Sequence, residues 1–242
     1  MKSPRGITIA TICARGGSKG IPGKNIHPFP DASGEPLLVH SIRHALQCAR
    51  IDKTYVSTDD PAIADVARQA GALVPYLRPA ELATDSAGKV PVIEHLVAHL
   101  EAAGERIDKV VDLQPTSPLR APGDVERCLD AMDGADLALS VYPSDIHPAF
   151  NLVELGPDGA AHLWSRAGAV RRQDLRPVYA LNGSIYCWQR PALPRAVLDG
   201  VWSLNVRGVP MPRERSADID DMLDFEWAAW LYRRQLAASG AP

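Results

Sequence analysis

The chain has 242 residues, a formal net charge of −3 and 46% hydrophobic residues. That size allows one large domain or a core with a small appendage, and the charge gives no reason to expect nucleic acid as a partner. No apolar run approaches the ~20 residues of a membrane span and no leader-type segment is evident, so a soluble cytoplasmic protein with no membrane partner is expected. Cys13, Cys48, Cys128 and Cys187 are widely spaced in apolar surroundings and are expected to be reduced.

Ile7 to Cys13 is rich in β-branched residues and predicts a buried strand. It runs into Ala14-Arg15-Gly16-Gly17-Ser18-Lys19-Gly20-Ile21-Pro22-Gly23-Lys24-Asn25. The glycines allow a ligand close to the main chain, and successive N–H groups there are expected to form an anion-binding nest. With Arg15, Lys19 and Lys24 alongside, a polyphosphate is the natural guest; a solvated basic turn is the competing interpretation. Neither common phosphate fingerprint fits. Five residues separate Gly17 from Gly23-Lys24 where a Walker loop has four, and Asn25 replaces its magnesium-binding hydroxyl. The glycines at 17, 20 and 23 are evenly spaced, unlike G-x-G-x-x-G.

Helical periodicity follows from Leu37, and Lys53 to Ser57 predicts a second strand ending in Thr58-Asp59-Asp60. Asp60 and Pro61 predict a helix start, and Gly71 its end. Leu73 to Pro75 is expected as a short strand. A polar connection from Arg78 to Lys89 precedes a helix expected to place Val92, Leu96, His99 and Leu100 on one side. Lys109 to Leu113 predicts a third strand, Pro122 to Met132 a helix and Leu137 to Val141 a fourth strand. This alternation predicts an α/β fold, a mostly parallel sheet flanked by helices. Ligands in such folds collect beyond the carboxyl ends of the strands, so the Gly-rich loop, Ser57-Thr58-Asp59 and Gln114-Pro115-Thr116 are expected on one rim.

Between 142 and 176 the rhythm becomes β-rich, which predicts an insertion that covers the site or contacts another subunit. Residues 1–141 and 177–242 would then form the core. Gly183 to Trp188 and Asn205 to Val209 predict further strands. A closing helix is expected to carry Leu223, Trp227, Trp230 and Leu231 as its buried stripe, with Asp220 or Asp221 at its cap.

Four polar groupings remain. In extended chain Asp218 and Asp220 project to one side and suit Mg²⁺, or they serve as an acidic helix start. Gln114-Pro115-Thr116-Ser117-Pro118-Leu119-Arg120 is a stiff loop offering donors and acceptors to a sugar or base, or a rigid connection into a helix. Arg171-Arg172-Gln173 offers a fork for a carboxylate, or a solvated face. Asn182-Gly183 suits a turn into a strand. His95 and His99 lack a third ligand and the H-E-x-x-H pattern, so no zinc site is expected, and neither a nucleophile elbow nor a catalytic cysteine is indicated.

Taken in order, the loop from Ala14 to Asn25, Ser57-Thr58-Asp59, the Leu113 to Arg120 segment and Asp218-Ile219-Asp220 resemble the acylneuraminate cytidylyltransferases, the CMP-sialic acid synthetases and their pseudaminic and legionaminic acid relatives. Leu77 to Ala83 and Asn182-Gly183-Ser184-Ile185-Tyr186 add to the match, which spans about Ile7 to Leu236. The resemblance implies a Rossmann-like nucleotidyltransferase core, a small β-rich dimerisation insertion and a homodimer. It implies transfer of CMP from CTP to an acidic nine-carbon 2-keto sugar, with Mg²⁺ and release of pyrophosphate. By match, Arg15, Lys19, Lys24 and Asp218 would be catalytic. Ala14, Arg15, Gly16, Gly17, Lys24, Asn25, Ser57 and Asp59 would bind nucleotide. Gln114, Thr116, Ser117, Arg172, Gln173 and Asn182 would bind the sugar, and Asp218 and Asp220 the metal. Related octulosonate enzymes carry Ser-Thr-Arg in the first loop, whereas Gly17-Ser18-Lys19 favours the nine-carbon branch. His147-Pro148 is followed by Ala149-Phe150-Asn151, without the basic residue of some sialic acid synthetases. The alternatives are a same-fold enzyme for another acid, such as 3-deoxy-manno-octulosonate, or another nucleotide, and an inactive nucleotide-sugar-binding homologue.

Overall fold

The computed structural model describes residues 5–18, 20–29, 34–84, 86–165 and 176–239. Its first strand, β1 (Ile7–Cys13), is buried along most of its length on both faces, hence its continuous apolar run rather than an alternation. It pairs in parallel with β2 (Lys53–Ser57) on one side and β3 (Ile107–Leu113) on the other. Beyond β3, the strand β7 (Tyr179–Gln189) lies antiparallel between β3 and β4 (Leu137–Pro143), and β8 (Val206–Pro210) runs parallel to β4 at the edge. The result is a six-stranded sheet of order β2-β1-β3-β7-β4-β8. In the stretch between β4 and β7, β5 (Val153–Leu155) and β6 (Ala161–Leu163) form an antiparallel hairpin.

Alternate residues of the strands serve opposite faces of the sheet. Ala10, Ile12 and Val111 pack against α1 (Leu37–Gln47), α2 (Pro61–Gln69) and α4 (Pro122–Asp130). Ile9, Val110 and Trp188 pack against α3 (Lys89–Ala102) and α5 (Ala192–Asp199). A third cluster joins Ile21, Phe29, Leu37, Leu119 and Ile219 to Phe225, Ala228, Ala229 and Leu231 of α6 (Met222–Ser239). It couples the Gly-rich loop to the end of the chain. No helix among the described residues is long and apolar enough to cross a membrane.

The expected elements form, with local differences. Asp60 caps α2 by accepting from the N–H groups of Ala62 and Ile63, and Gly71 follows with φ of 93°. Leu73 makes one bridge to Tyr55 instead of opening a strand. α3 begins at Lys89, so that residue belongs to the helix rather than to the connection before it. His99 is exposed, its ring 4.4 Å from that of Tyr76, while His95 Nδ1 lies 2.7 Å from the Tyr76 hydroxyl. In α6 the buried face starts at Phe225, because the Phe225 ring fits against His27 and Phe29. Leu231 is buried as expected, but Leu223, Trp227 and Trp230 are exposed, the two indoles stacked 5.0 Å apart.

Candidate active site

Because β1, β2 and β3 are parallel, the segments that follow them emerge on one rim. Two adjoining hollows of about 260 Å³ each open there. Both touch Cys13, Arg15 and Gln114; Arg78 and Lys89 line one, Lys24, Asn25, Thr116 and Asp220 the other. A larger hollow of about 400 Å³ sits elsewhere, around Arg5, Arg50 and Lys109, away from these motifs.

The glycines of the loop differ in role. Gly23 has φ of 65°, whereas Gly16 and Gly17 are not left-handed. Two of these glycines answer to close packing instead. A Cβ on Gly20 would fall 2.0 Å from the Asp220 carbonyl oxygen, and one on Gly16 would fall 2.6 Å from the Asp60 carboxylate. A Cβ on Gly17 would meet nothing within 4 Å, so this backbone is open to a ligand.

The loop is pinned from beneath. The Gly16 N–H donates to Asp59 Oδ1 (3.2 Å), which also meets Arg78 at 3.4 Å. Ala14 is buried and its N–H donates to the Ser57 carbonyl; Ser57 is itself buried at the end of β2. Ala14, Ser57 and Asp59 therefore support the loop rather than line the hollows. Asn25 Nδ2 donates to the Arg15 carbonyl (2.9 Å), while its Oδ1 is buried with no partner among the described residues.

Opposite the loop, the 218–220 segment is held in extended register: the Ile219 N–H donates to the Thr116 carbonyl (3.0 Å), and Ile219 is fully buried. The Thr116 hydroxyl donates to Asp218 Oδ1 at 2.5 Å. Lys24 reaches across from the loop to the Ile219 carbonyl and to Asp220 Oδ1 (3.2 Å). Burial, and then the neighbouring charge of Asp220, raises the Asp218 pKa; the Thr116 hydrogen bond partly opposes this. Asp221 caps α6 through the N–H groups of Leu223 and Asp224, and Asp224 accepts from those of Asp220 and Asp221. Helix capping thus occupies Asp221 and Asp224 and leaves Asp218 and Asp220 for the cleft.

These two carboxylates fit a hard divalent cation. A cation would relieve the repulsion felt by Asp218, and the cleft has room for phosphate and water oxygens. Among the described residues no group of three or more His, Cys, Asp or Glu side chains is placed to hold a metal, so an ion here would need oxygen ligands beyond these two carboxylates. That is the habit of Mg²⁺ at phosphate sites.

The expected sugar-side residues divide. Gln114 faces both hollows. Thr116 is committed to Asp218, and Ser117 is fully buried behind it. Asn182 is also buried: its Oδ1 accepts from the Ser140 hydroxyl (2.6 Å) and the Ser184 N–H (3.1 Å), and its Nδ2 donates to the Ser216 hydroxyl (3.0 Å). Thr116, Ser117 and Asn182 shape the rim rather than offer free groups to a sugar. Lys19, Arg172 and Gln173 lie outside the described residues.

Sequence reasoning passed over Lys89 and Asp112, and it offered Arg120 to a ligand where the structure turns it inward. Asp112 is fully buried in β3, where Thr11 donates to it (3.1 Å) and Lys89 pairs with it at 2.6 Å. Arg120 is buried, donates to the Gln114 carbonyl (3.1 Å) and to the Ser184 carbonyl and hydroxyl (3.1 and 2.9 Å), and is pushed down to about 10 by burial. One local signal existed for Lys89, since a cation in the first turn of a helix opposes the helix dipole and implies a tertiary partner. Cys13 borders both hollows; burial, and then Asp112, pushes its thiol up to about 12.

Residues 9–140 match the model of the cytidylyltransferase family. The chain belongs to that family. This cytidylyltransferase is 36% identical to the CMP-N,N'-diacetyllegionaminic acid synthase of Legionella pneumophila over 74% of its length and 76% of the relative's. It is 30% identical to the pseudaminic acid cytidylyltransferase of Campylobacter jejuni, covering 93% of this chain and 96% of the relative. The solved structure of CMP:2-keto-3-deoxy-manno-octonic acid synthetase complexed with CTP shares the fold, with a TM-score of 0.70 at 20% identity, covering 95% of this chain and all of that one.

Two outcomes follow from this cleft. Gly20→Ala forces the loop away from Asp220 and should cost about 1–2 kcal/mol of stability but roughly 10²-fold in kcat/KM; urea titration and steady-state rates separate the two effects. Asp218 has a raised folded-state pKa, so its ionisation destabilises the metal-free fold. Asp218→Asn should therefore raise the thermal midpoint at pH 7 without metal. The gain should vanish as pH falls below the ordinary carboxylate value of about 3.9, and an unchanged midpoint at pH 7 would contradict the shift.

Proposed function

We propose that this cytidylyltransferase transfers CMP from CTP to the anomeric hydroxyl of an acidic nine-carbon 2-keto sugar, a nonulosonic acid, and releases pyrophosphate. The observation that carries this reading is the hollow lined by Arg15, Lys24, Gln114, Thr116 and Asp220, with Asp218 held beside it by the Thr116 hydroxyl. The two relatives named for legionaminic and pseudaminic acids support the sugar class.

In the reaction, the anomeric oxygen bonds to the α-phosphorus as the bond to pyrophosphate breaks and the hydroxyl gives up its proton. Such a step needs alignment and cations around the developing charge more than a protein nucleophile. Arg15 and Lys24 neutralise the triphosphate, and Lys19 of the same loop is assigned the same task. Lys24 exchanges its bond to Asp220 for phosphate oxygens. Gly17 lets the phosphates approach the main chain, and Asn25 holds the Arg15 carbonyl so that the loop keeps its shape. Asp218 and Asp220 would hold Mg²⁺, with Thr116 keeping Asp218 aimed. When bound, the ion supplies Lewis-acid stabilisation of phosphate charge and acidifies a bound hydroxyl. Gln114, Arg172 and Gln173 are assigned to the sugar.

We also propose that the 142–176 segment joins two copies into a homodimer. Its hairpin exposes Val153, Leu155, Leu163 and Trp164, an apolar surface of the kind that marks a protein contact.

Pyrophosphate release measured with each of the four NTPs, Mg²⁺ and a panel of nonulosonic acids and octulosonate should show turnover with CTP and a nine-carbon acid. Turnover with another pair only, or binding without turnover, would contradict the assignment. Asp218→Ala and Asp220→Ala should each lose several kcal/mol of transition-state stabilisation, roughly 10²-fold or more in kcat, with near-native circular dichroism. Near-normal rates at limiting Mg²⁺ would remove the metal assignment. Leu155→Glu combined with Trp164→Glu should convert a dimer to monomer in sedimentation equilibrium; an unchanged mass would place the contact elsewhere.

A further inference from the structure

Lys89, the first residue of α3, sends its ammonium to the floor of the cleft. Nζ lies 2.6 Å from Asp112 Oδ2, 2.8 Å from Gln114 Oε1 and 5.1 Å from the centre of the Tyr186 ring. Burial works against its charge, but Asp112 outweighs that and the Lys89 pKa is raised. The group is therefore a permanent cation.

An ammonium has three donors and no acceptor, so only the oxygen of the Gln114 amide can face it. The usual ambiguity in which way a glutamine amide points is removed here by chemistry. With Oε1 turned to Lys89, Nε2 faces away, and no described residue accepts from it. Gln114 borders both hollows, so its remaining groups are N–H donors suited to an acceptor oxygen of a ligand. The Gln114 main chain is fixed as well, its carbonyl accepting from Ser41 (2.8 Å) and Arg120 (3.1 Å) and its N–H donating to the Ser184 carbonyl (3.0 Å). The side-chain amide is the one part free to flip, and Lys89 decides its sense.

We propose that Lys89 is a specificity-determining positioning residue: it locks Gln114 as an N–H donor toward the carboxylate of the acidic sugar, and so helps the site choose an acid over its neutral analogue. This rests on the reading of the substrate given above. Asp112 anchors Lys89, and Thr11 anchors Asp112, so the orientation of one amide traces back into β1 and β3.

The decisive comparison is Lys89→Met against wild type. The KM for the nonulosonic acid should rise about tenfold while the KM for CTP stays within about twofold, and the preference for the acid over its primary carboxamide should fall by a similar factor. Lys89→Arg should restore most of the acid KM. Since Lys89→Met strands the buried Asp112 charge, Lys89→Met combined with Asp112→Asn is measured alongside. A Lys89 that merely neutralises Asp112 predicts recovery of the acid KM in that double variant, whereas the positioning role predicts that it stays raised. A substrate-independent reading comes from the ¹⁵N side-chain amide pair of Gln114, assigned by its loss in Gln114→Leu. That pair should be single and sharp in wild type and broadened or doubled in the double variant. An unperturbed pair, or an acid KM unchanged in the double variant, overturns the proposal. If wild type turns over no nonulosonic acid, the substrate reading fails while the amide resonances still decide the role of Lys89.

Discussion

The site depends on one buried contact between distant parts of the chain. Ile21 of the Gly-rich loop and Ile219 near the last helix share an apolar cluster with Phe29, Leu119 and Phe225. Ile219 is fully buried, and burial of such a side chain is worth roughly 2 kcal/mol. Its two neighbours in extended chain, Asp218 and Asp220, are thereby kept at the cleft. Gly20 seats directly against the Asp220 carbonyl, where a methyl group would not fit. The cation-bearing wall and the carboxylate-bearing wall are thus set apart by the thickness of packed backbone, with Lys24 bridging them.

Around that contact the rim is built mainly from polar groups that serve other polar groups. Asp59 holds Gly16 and Arg78, Thr116 holds Asp218, Arg120 holds Gln114 and Ser184, and Asn182 ties β4 and β7 to Ser216. Buried polar contacts of this sort fix a geometry, although the Nε atoms of Arg78 and Arg120 are buried with no partner among the described residues. This division of labour explains why a set of polar residues at the cleft presents so few free groups. Lining the hollows are Arg15, Lys24, Gln114 and Asp220, with the Gly17 backbone open beside them.

Much of this was legible in the sequence. The β-branched run of β1, the Asp60-Pro61 start of α2 and the strand–helix alternation are local signals, and they gave a sheet whose rim could be named in advance. The apolar Ile between Asp218 and Asp220 is buried as its type suggests, and each flanking carboxylate meets a polar partner. Local signals failed where tertiary packing chose among equivalent patterns. In α6, Leu223, Trp227 and Trp230 have the spacing of a core stripe, but the Phe225 ring contacts with His27 and Phe29 set the rotation of the helix. The glycines of the loop signalled freedom of φ, whereas two of them answer to close approach, a distinction no local spacing carries. The burial of Ser117 and Asn182 could not be read from residue type. Lys89 was hidden because its partners, Asp112 and Gln114, lie on another element.

The central claim is that the loop and the 218–220 segment form one cleft for a nucleotide triphosphate and a divalent ion. Crystals grown with CTP and Mn²⁺ in place of Mg²⁺, measured at the manganese absorption edge, test it directly. The account predicts an anomalous peak coordinated by Asp218 and Asp220 oxygens together with phosphate oxygens of CTP, with the triphosphate against Gly17 and Arg15. A peak held by other side chains, or CTP bound away from the loop with no ion at the two aspartates, would contradict it.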